Sequence, residues 1–334
     1  MREQRKMTNT TAKKSEFLPI LQLVDQAQTI LLCTHQSPDG DALGSMLALN
    51  SCLMRMGKKT SMVCHDAVPS YLQFLPNQDR ILLPNQLKDQ AFDLSLSIDA
   101  SDLERLGDSG IPFKQAAISI QMDHHKTNDS FADYNLVLDD LPASGSIVFR
   151  FFEAAGISIT ADDATCIYTA ITTDTGNLCF GSISSETFEQ LAELMRSGLP
   201  LIETARQLHL MREKEHVLLL GRALRTLHFH LDGRLTSMVL TKEDYKECGA
   251  TTEHTDKIVN YGLYIPGVEM SYLAHETDQG IKFSLRSIAP LTVSGIASKF
   301  GGGGHSQAAG CTINEPLWDA IASMQKAAQE EFLH

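Results

Sequence analysis

The first half of the chain alternates short apolar runs with longer segments whose apolar positions recur at helical spacing. Thr29-Ile30-Leu31-Leu32-Cys33-Thr34 reads as a buried strand, followed by a turn and a helix over about 41–56. Residues 59–64, 93–99 and 117–122 read as further strands, and 146–155 and 162–173 as helices. Apolar strands separated by helices predict a doubly wound, mainly parallel sheet. Such a sheet binds ligands beyond the carboxyl ends of its strands.

The second half has a different pattern. Residues 226–230 and 234–240 flank Leu231-Asp232-Gly233 and predict a hairpin; 268–275 and 280–287 predict another, turning through 276–279. Helices over 241–247, 291–300 and 316–332 complete a smaller α+β domain. Gly198-Leu199-Pro200 breaks the pattern, and a charged helix over 211–217 bridges the halves. The reading divides the chain into an N-terminal α/β domain at 1–196, a linker at 197–221 and a C-terminal domain at 222–334. Two domains fit a chain of 334 residues, which exceeds the size at which one core stops growing.

Composition narrows the class. Hydrophobic residues make up 43% and charged residues 21%, as in an ordinary globular protein and not a disordered one. No apolar run approaches the ~20 residues of a membrane-spanning helix, and the basic, polar start MREQRKMTNTTAKKSEF lacks the apolar core of a secretory signal. That start reads as an extension, with Met7 a candidate initiator, and the expected location is cytoplasmic. The seven cysteines are scattered and never form CxxC, which argues against a disulfide framework and a structural zinc site. Cys33, Cys64 and Cys166 sit in apolar stretches and are expected as buried thiols. A net charge of −13 without a basic stripe excludes long duplex nucleic acid, whereas a metal site could still attract small phosphate compounds.

The densest chemistry is Thr34-His35-Gln36-Ser37-Pro38-Asp39-Gly40-Asp41, directly after the first strand. His35, Asp39 and Asp41 are metal-ligand types on one tight turn; carboxylates with neutral imidazole suit manganese, iron or magnesium. Either Asp could instead cap the following helix, but capping does not require His35. Asp99 ends a second strand, Asp123-His124-His125 ends a third, and Asp174 closes a helical stretch. If the strands are parallel, the strand-end groups meet at one rim, where unpaired carboxylates would repel one another without cations.

These residues carry a resemblance. HQSPDGDALGS, SIDASD, MDHHK and TTDTGN resemble the four successive motifs of the DHH phosphoesterase superfamily. Lys299-Phe300-Gly301-Gly302-Gly303-Gly304-His305, continuing to Ala308-Ala309-Gly310, resembles the glycine-rich signature of the DHH-associated C-terminal domain. Motif order and length are most similar to the stand-alone bacterial oligoribonuclease/pAp phosphatase group. The resemblance implies one metal on His35, Asp39 and Asp99 and another on Asp41, Asp99, His124 and Asp174, with Asp99 bridging. It implies that Asp123 orients a histidine, that His125 faces the scissile phosphate, and that the ions are manganese, the ligand types alone also permitting Mg2+ or Fe2+. Two departures stand out: Ser37, where relatives often have Asn, and Ala143-Ser144-Gly145-Ser146 in place of a Ser-Ser-Thr run.

Four consecutive glycines cannot be core packing, because glycine loses the most entropy on ordering and has no side chain to bury. Gly302, Gly303, Gly304 and His305 are therefore expected at the substrate. Arg286 suits a second phosphate contact, since a guanidinium matches phosphate geometry, and could equally be an exposed structural arginine; the resemblance implies the phosphate role. A linker would explain neither His305 nor the return into Ala308. Lys299 reads as a solvated helix end, His228 and His230 as surface or satisfied histidines, and His65-Asp66 as a plain loop. Trp318 and the Phe149–Phe152 aromatics read as core.

The expected protein is a two-domain hydrolase that cleaves short single-stranded oligoribonucleotides to mononucleotides in the cleft between its domains, and also 3′-phosphoadenosine 5′-phosphate to AMP. Cyclic di-AMP or its linear product pApA is the alternative substrate. A non-catalytic nucleotide- or RNA-binding regulator is the alternative class, and it predicts a lost ligand. No membrane or double-stranded nucleic acid is expected as partner, and a homodimer is left open.

Overall fold

The run Thr29–Cys33 is apolar on both faces, which suits a strand covered on both sides. In the computed structural model, which describes residues 15–88 and 90–333, it is β1, at the centre of a sheet. The basic start of the chain and Met7 lie outside the described residues. The chain divides into two compact units, one ending at Met211 and the other beginning at Arg212, within the segment 197–221.

In the first unit a helix over 15–26 (α1) precedes β1. Then follow α2 (Gly40–Arg55), β2 (Lys59–Val63), β3 (Ile81–Leu82), β4 (Leu94–Ile98), α3 (Gly110–Gln115), β5 (Ile118–Asp123) and β6 (Tyr134–Val137). Helices α4 (Ser144–Ala155), α5 (Ala161–Asp174), α6 (Ser185–Arg196) and α7 (Leu201–Ala205) complete it. The strands order as β3-β2-β1-β4-β5-β6 and every pairing is parallel. The order reverses between β1 and β4, which opens a crevice at their carboxyl ends. The sequence reading passed over β3 and β6: the first has two residues, and the second is an edge strand whose first half is exposed.

Two glycines set the helix layer. A Cβ at Gly44 of α2 would collide with the Cys166 carbonyl of α5, and one at Gly145 of α4 with the Ala170 side chain. Without those atoms α2 and α4 lie close against α5, and the carboxyl end of α5, with Asp174, is drawn to the start of α2.

The second unit holds α8 (Lys214–Arg225), β7 (His228–His230), β8 (Leu235–Leu240), α9 (Lys242–Cys248), α10 (Asn260–Leu263), β9 (Met270–Thr277) and β10 (Gly280–Ser287). It ends with α11 (Ser294–Lys299), β11 (Gly303–His305), β12 (Ala308–Ile313) and α12 (Leu317–Glu331). Its sheet runs β11-β12-β10-β9-β8-β7, antiparallel except for β8 with β9. Tyr272, Phe283 and Leu285 pack one face onto α11 and α12, while Met238, Leu240 and Leu273 pack the other onto α8 and α9.

Three expectations need correction. The charged helix begins at Lys214, three residues after the expected start. The helix expected over 291–300 spans only Ser294–Lys299, because 288–293 form a loop in which the Ser287 hydroxyl donates to the Leu291 carbonyl. Trp318 is 71% exposed, not core: α12 turns Ala320, Met324 and Ala327 inward, and Trp318 projects from its first turn on another side. The thiols of Cys33, Cys64 and Cys166 are buried, as are Phe149, Phe151 and Phe152.

Candidate metal centre

The carboxyl ends of β1, β4 and β5 deliver His35, Asp99 and Asp123-His124-His125 to one rim, and the Thr34 hydroxyl ties β1 to β4 by donating to the Ile98 carbonyl at 2.9 Å. His35 is buried, and its Nδ1 lies 2.8 Å from the Gln36 carbonyl, which turns Nε2 to within 3.9 Å of Asp39 and 3.6 Å of Asp99. Asp39 is also the N-cap of α2: its Oδ1 accepts from the amides of Asp41 and Ala42. Capping and a place among ligand-type residues therefore belong to the same side chain.

Asp41 is buried and heavily solvated by the protein. One oxygen accepts from the Ser45 hydroxyl at 3.0 Å and the Gly145 amide at 2.9 Å, and the other from the Ser144 amide at 2.7 Å. Asp99 stands at φ +60°, the left-handed region that non-glycine residues enter only when their surroundings hold them there. Its Oδ1 accepts from the Ser144 hydroxyl at 3.0 Å. His124 Nδ1 lies 3.4 Å from the Leu141 carbonyl, and Nε2 stands 3.6 Å from Asp41, 3.6 Å from Asp99 and 3.4 Å from Asp174. That Nε2 is buried without a hydrogen-bond partner.

Of the four groups of ligand-type side chains among the described residues whose ligand atoms lie within 4.8 Å of one another, three meet at this rim: His35, Asp39 and Asp99; Asp41, His124 and Asp174; and Asp99, His124 and His125; the fourth, Glu213, Glu215 and His254, belongs to the second unit. Asp99 belongs to two of them and reaches both His35 and His124. Asp123, fully buried, does not join a group. Its Oδ1 lies 2.7 Å from His125 Nδ1, so the histidine it orients is His125. Asn128 donates to its other oxygen.

The electrostatics show the strain of gathering these carboxylates. Burial, together with Asp99, Asp174 and Asp39, raises the Asp41 carboxyl well above its ordinary value. Burial likewise pushes Asp174 up to about 7, with Asp99 and Asp39 adding to the rise and His124 opposing it. Burial would also raise Asp99, but the hydrogen bond from His35 and the charges of His125, His35 and His124 outweigh it and hold its carboxyl low. Burial lowers His125, yet Asp123 and Asp99 more than compensate and carry it up to about 9. Asp41 and Asp174 are thus drawn toward their protonated forms, as carboxylates forced together are.

The contacts of Ser144 with the cluster were not foreseen. The altered Ala143–Ser146 run was visible in the sequence, but not that its first serine would donate to two carboxylates, Asp41 in the first turn of α2 and Asp99 at the end of β4. Ser37, the other departure, stands at φ +52°, and its amide donates to Asp66 at 2.6 Å. Asparagine tolerates that conformation better than most non-glycine residues. His65 accepts from the Asp108 amide and packs beneath Gly107, a loop role.

The second unit revises the argument for the glycine run. A Cβ at Gly302 would collide with the Gly310 carbonyl, and one at Gly304 with the Ala308 carbonyl, so both are required by the close pairing of β11 with β12. Gly303 faces open space and remains available to a ligand. The His305 side chain lies outside the described atoms. Arg286 is half-buried on β10, and its Nη1 donates to the Leu285 carbonyl at 2.9 Å. Lys299 pairs with Glu330 at 3.0 Å, as a solvated helix end does.

The model of the DHH family, N-terminal domain, matches residues 29–171, and that of the DHHA1 domain matches 236–333. A bifunctional oligoribonuclease and PAP phosphatase of Thermus thermophilus is 32% identical over 303 residues, 90% of each chain. The chain belongs to the DHH family. A second DHH relative, the enzyme of the same description from Bacillus subtilis, is 26% identical over 92% of this chain and 94% of its own. The crystal structure of an exopolyphosphatase-related protein from Bacteroides fragilis superposes with a TM-score of 0.91 at 25% identity, covering 96% of this chain and 97% of that one. RecJ of Thermus thermophilus, solved with Mn2+, shares the fold at a TM-score of 0.53 and 13% identity, over 95% of this chain and 55% of its own. Among the described residues no helix is long and apolar enough to cross a membrane.

Proposed function

We propose that this DHH phosphoesterase uses two divalent cations, manganese by preference, to hydrolyse short oligoribonucleotides to mononucleotides and 3′-phosphoadenosine 5′-phosphate to AMP. The observation that carries the proposal is the pair of groups His35/Asp39/Asp99 and Asp41/His124/Asp174, with Asp99 in reach of both. The buried, partnerless Nε2 of His124 among three carboxylates fits a cation and does not fit a hydrogen-bond network.

His35, Asp39 and Asp99 would hold one ion and Asp41, Asp99, His124 and Asp174 the other. When bound, the pair would supply Lewis acidity, acidify the attacking water and balance charge on the in-line displacement. The chain does the positioning. The Gln36 and Leu141 carbonyls fix the ring orientations of His35 and His124, as the outer partners of metal-bound imidazoles do. The amides of Ser144 and Gly145 orient Asp41, and the Ser144 hydroxyl orients Asp99. Asp123 keeps the proton on His125 Nδ1 and stabilises the imidazolium, which donates to a phosphate oxygen and offsets the growing negative charge. Arg286 and the backbone at Gly303 serve the terminal phosphate of the substrate, with Gly302, Gly304 and His305 shaping that strand.

The names of the Thermus and Bacillus relatives support the choice of substrates, and the RecJ structure supports manganese. The test is hydrolysis by the purified chain with Mn2+ of pApA, 3′-phosphoadenosine 5′-phosphate, cyclic di-AMP and a longer single-stranded RNA. Release of AMP from the first two, abolished by chelator and by Asp99→Ala, is the expected result. Faster turnover of cyclic di-AMP than of pApA would shift the assignment to cyclic dinucleotides. No turnover of any of them, with metal bound, refutes the proposal.

A further inference from the structure

Arg286 does not stand alone on its sheet. The registers place Thr236, Ser271, Arg286, Ala308 and the backbone of His305 in one row across five strands, β8, β9, β10, β12 and β11. Directly paired residues share a face, so Thr236, Ser271 and Arg286 point to the side opposite Leu285 and Phe283. The apolar packing of that face ends before this row, and α10 covers what remains, lying against β8, β9 and β10. Its closest approach is at Gly262, where a Cβ would collide with the hydroxyls of Ser271 and Thr236. Helix α10 is thereby seated on Ser271, one strand from Arg286.

Two tyrosines flank that glycine. Tyr261 is 40% and Tyr264 63% exposed, and their rings lie 5.8 Å apart at 58°. An exposed aromatic pair beside a half-buried guanidinium is what a nucleotide site needs: a cation for phosphate and a flat apolar surface for the base. Tyr264 and Asp256 are near enough to act electrostatically on Arg286, whose charge burial disfavours.

We infer that Tyr264, buttressed by Tyr261, is the stacking platform for the base of the nucleotide whose phosphate Arg286 holds. The inference rests on the phosphoesterase reading and adds to it a residue for the base. Stacking on one tyrosine face accepts any base, so the subsite selects nucleotides over other phosphate esters without selecting a sequence.

The experiment is calorimetric binding of AMP and of ribose 5-phosphate to the full chain in EDTA, which removes the metal centre from the comparison. The wild type is expected to bind AMP about 10-fold more tightly than ribose 5-phosphate, within the roughly 5- to 150-fold range of base–aromatic stacking. Tyr264→Ala should erase most of that preference and leave ribose 5-phosphate unchanged. Tyr264→Phe should keep it, which separates stacking from hydrogen bonding by the phenol and shows that the position tolerates change. Arg286→Ala should weaken both ligands alike. A chain that hydrolyses pApA but whose preference for AMP survives Tyr264→Ala overturns this inference alone. A chain that hydrolyses nothing and binds neither ligand overturns it together with the reading beneath it.

Discussion

Ser144 offers the sharpest test of how the centre is held. Its hydroxyl is buried and donates to Asp99 at 3.0 Å, while its amide donates separately to Asp41. Ser144→Ala deletes only the first of these and leaves the helix start intact. A hydrogen bond to a charged group contributes about 1.5–3 kcal/mol. In the proposed two-cation site Asp99 is shared, so its loosening should weaken binding of both cations, and losing an outer partner of a metal ligand typically costs about 10- to 100-fold in affinity or activity. The same helix contains its own control: the Ser146 hydroxyl is buried without a partner, so Ser146→Ala should change little and remove a small desolvation penalty. The assay is Mn2+ titration by calorimetry, with hydrolysis of pApA measured against Mn2+ concentration for the three proteins. Saturating manganese should restore much of the lost turnover in Ser144→Ala. If Ser144→Ala matches the wild type in Mn2+ affinity and turnover, or if Ser146→Ala is equally damaged, Asp99 is not positioned in the way described.

Three other perturbations probe other levels of the structure. In the metal-free chain Asp174, pushed up to about 7, keeps a proton that the unfolded chain has lost, so stability falls as pH rises from about 4 through 7. Asp174→Asn should flatten that fall in EDTA melts and lose the stabilisation that the proposed site predicts for the wild type on adding Mn2+; an unchanged slope would count against carboxylate crowding. Burial pushes His275 down to about 4, with the Tyr245 hydroxyl 2.8 Å from its Nδ1. Between pH ~6.5 and ~4 the unfolded chain alone takes up that proton, so up to about 3 kcal/mol present above pH 6.5 is lost on acidification. Hydrogen exchange in β9 should show this loss in the wild type and not in His275→Asn, and equal slopes would contradict it. Gly44→Ala should improve helix propensity by about 1 kcal/mol yet destabilise the chain by about 1–3 kcal/mol overall, because its methyl meets the Cys166 carbonyl. Denaturant unfolding of a more stable variant would show that α2 and α5 can separate without harm.

The difference between what was legible and what was not follows the range of the interactions involved. Strand β1 was readable because an unbroken apolar run needs no partner to be recognised, and the turn after it because Pro38 and Gly40 mark it locally. The glycine run was readable as special but not for the right reason at every position. Gly302 and Gly304 answer to carbonyls of β12, and no inspection of the glycines themselves shows which neighbour they admit. Trp318 was misplaced because one aromatic near a helix start has no fixed side until the helix is docked. Edge strand β6 was invisible because half of it faces solvent and carries no alternation.

By itself the sequence determined the chemistry available: the histidines and carboxylates, their position at the ends of elements, and the parallel sheet that local periodicity demands. Tertiary structure decided the partnerships. Whether Asp39 caps or joins a ligand group, whether Asp123 serves His124 or His125, and whether Ser144 matters at all depend on which strand ends become neighbours. The strand order β3-β2-β1-β4-β5-β6 and the close seating of α4 and α5 on α2 settle those choices. The physical reason is one of range. Strand and turn preferences act over a few residues, whereas the groups around Asp99 come from positions 35 to 144 and meet only when burial of the sheet brings them within hydrogen-bond reach.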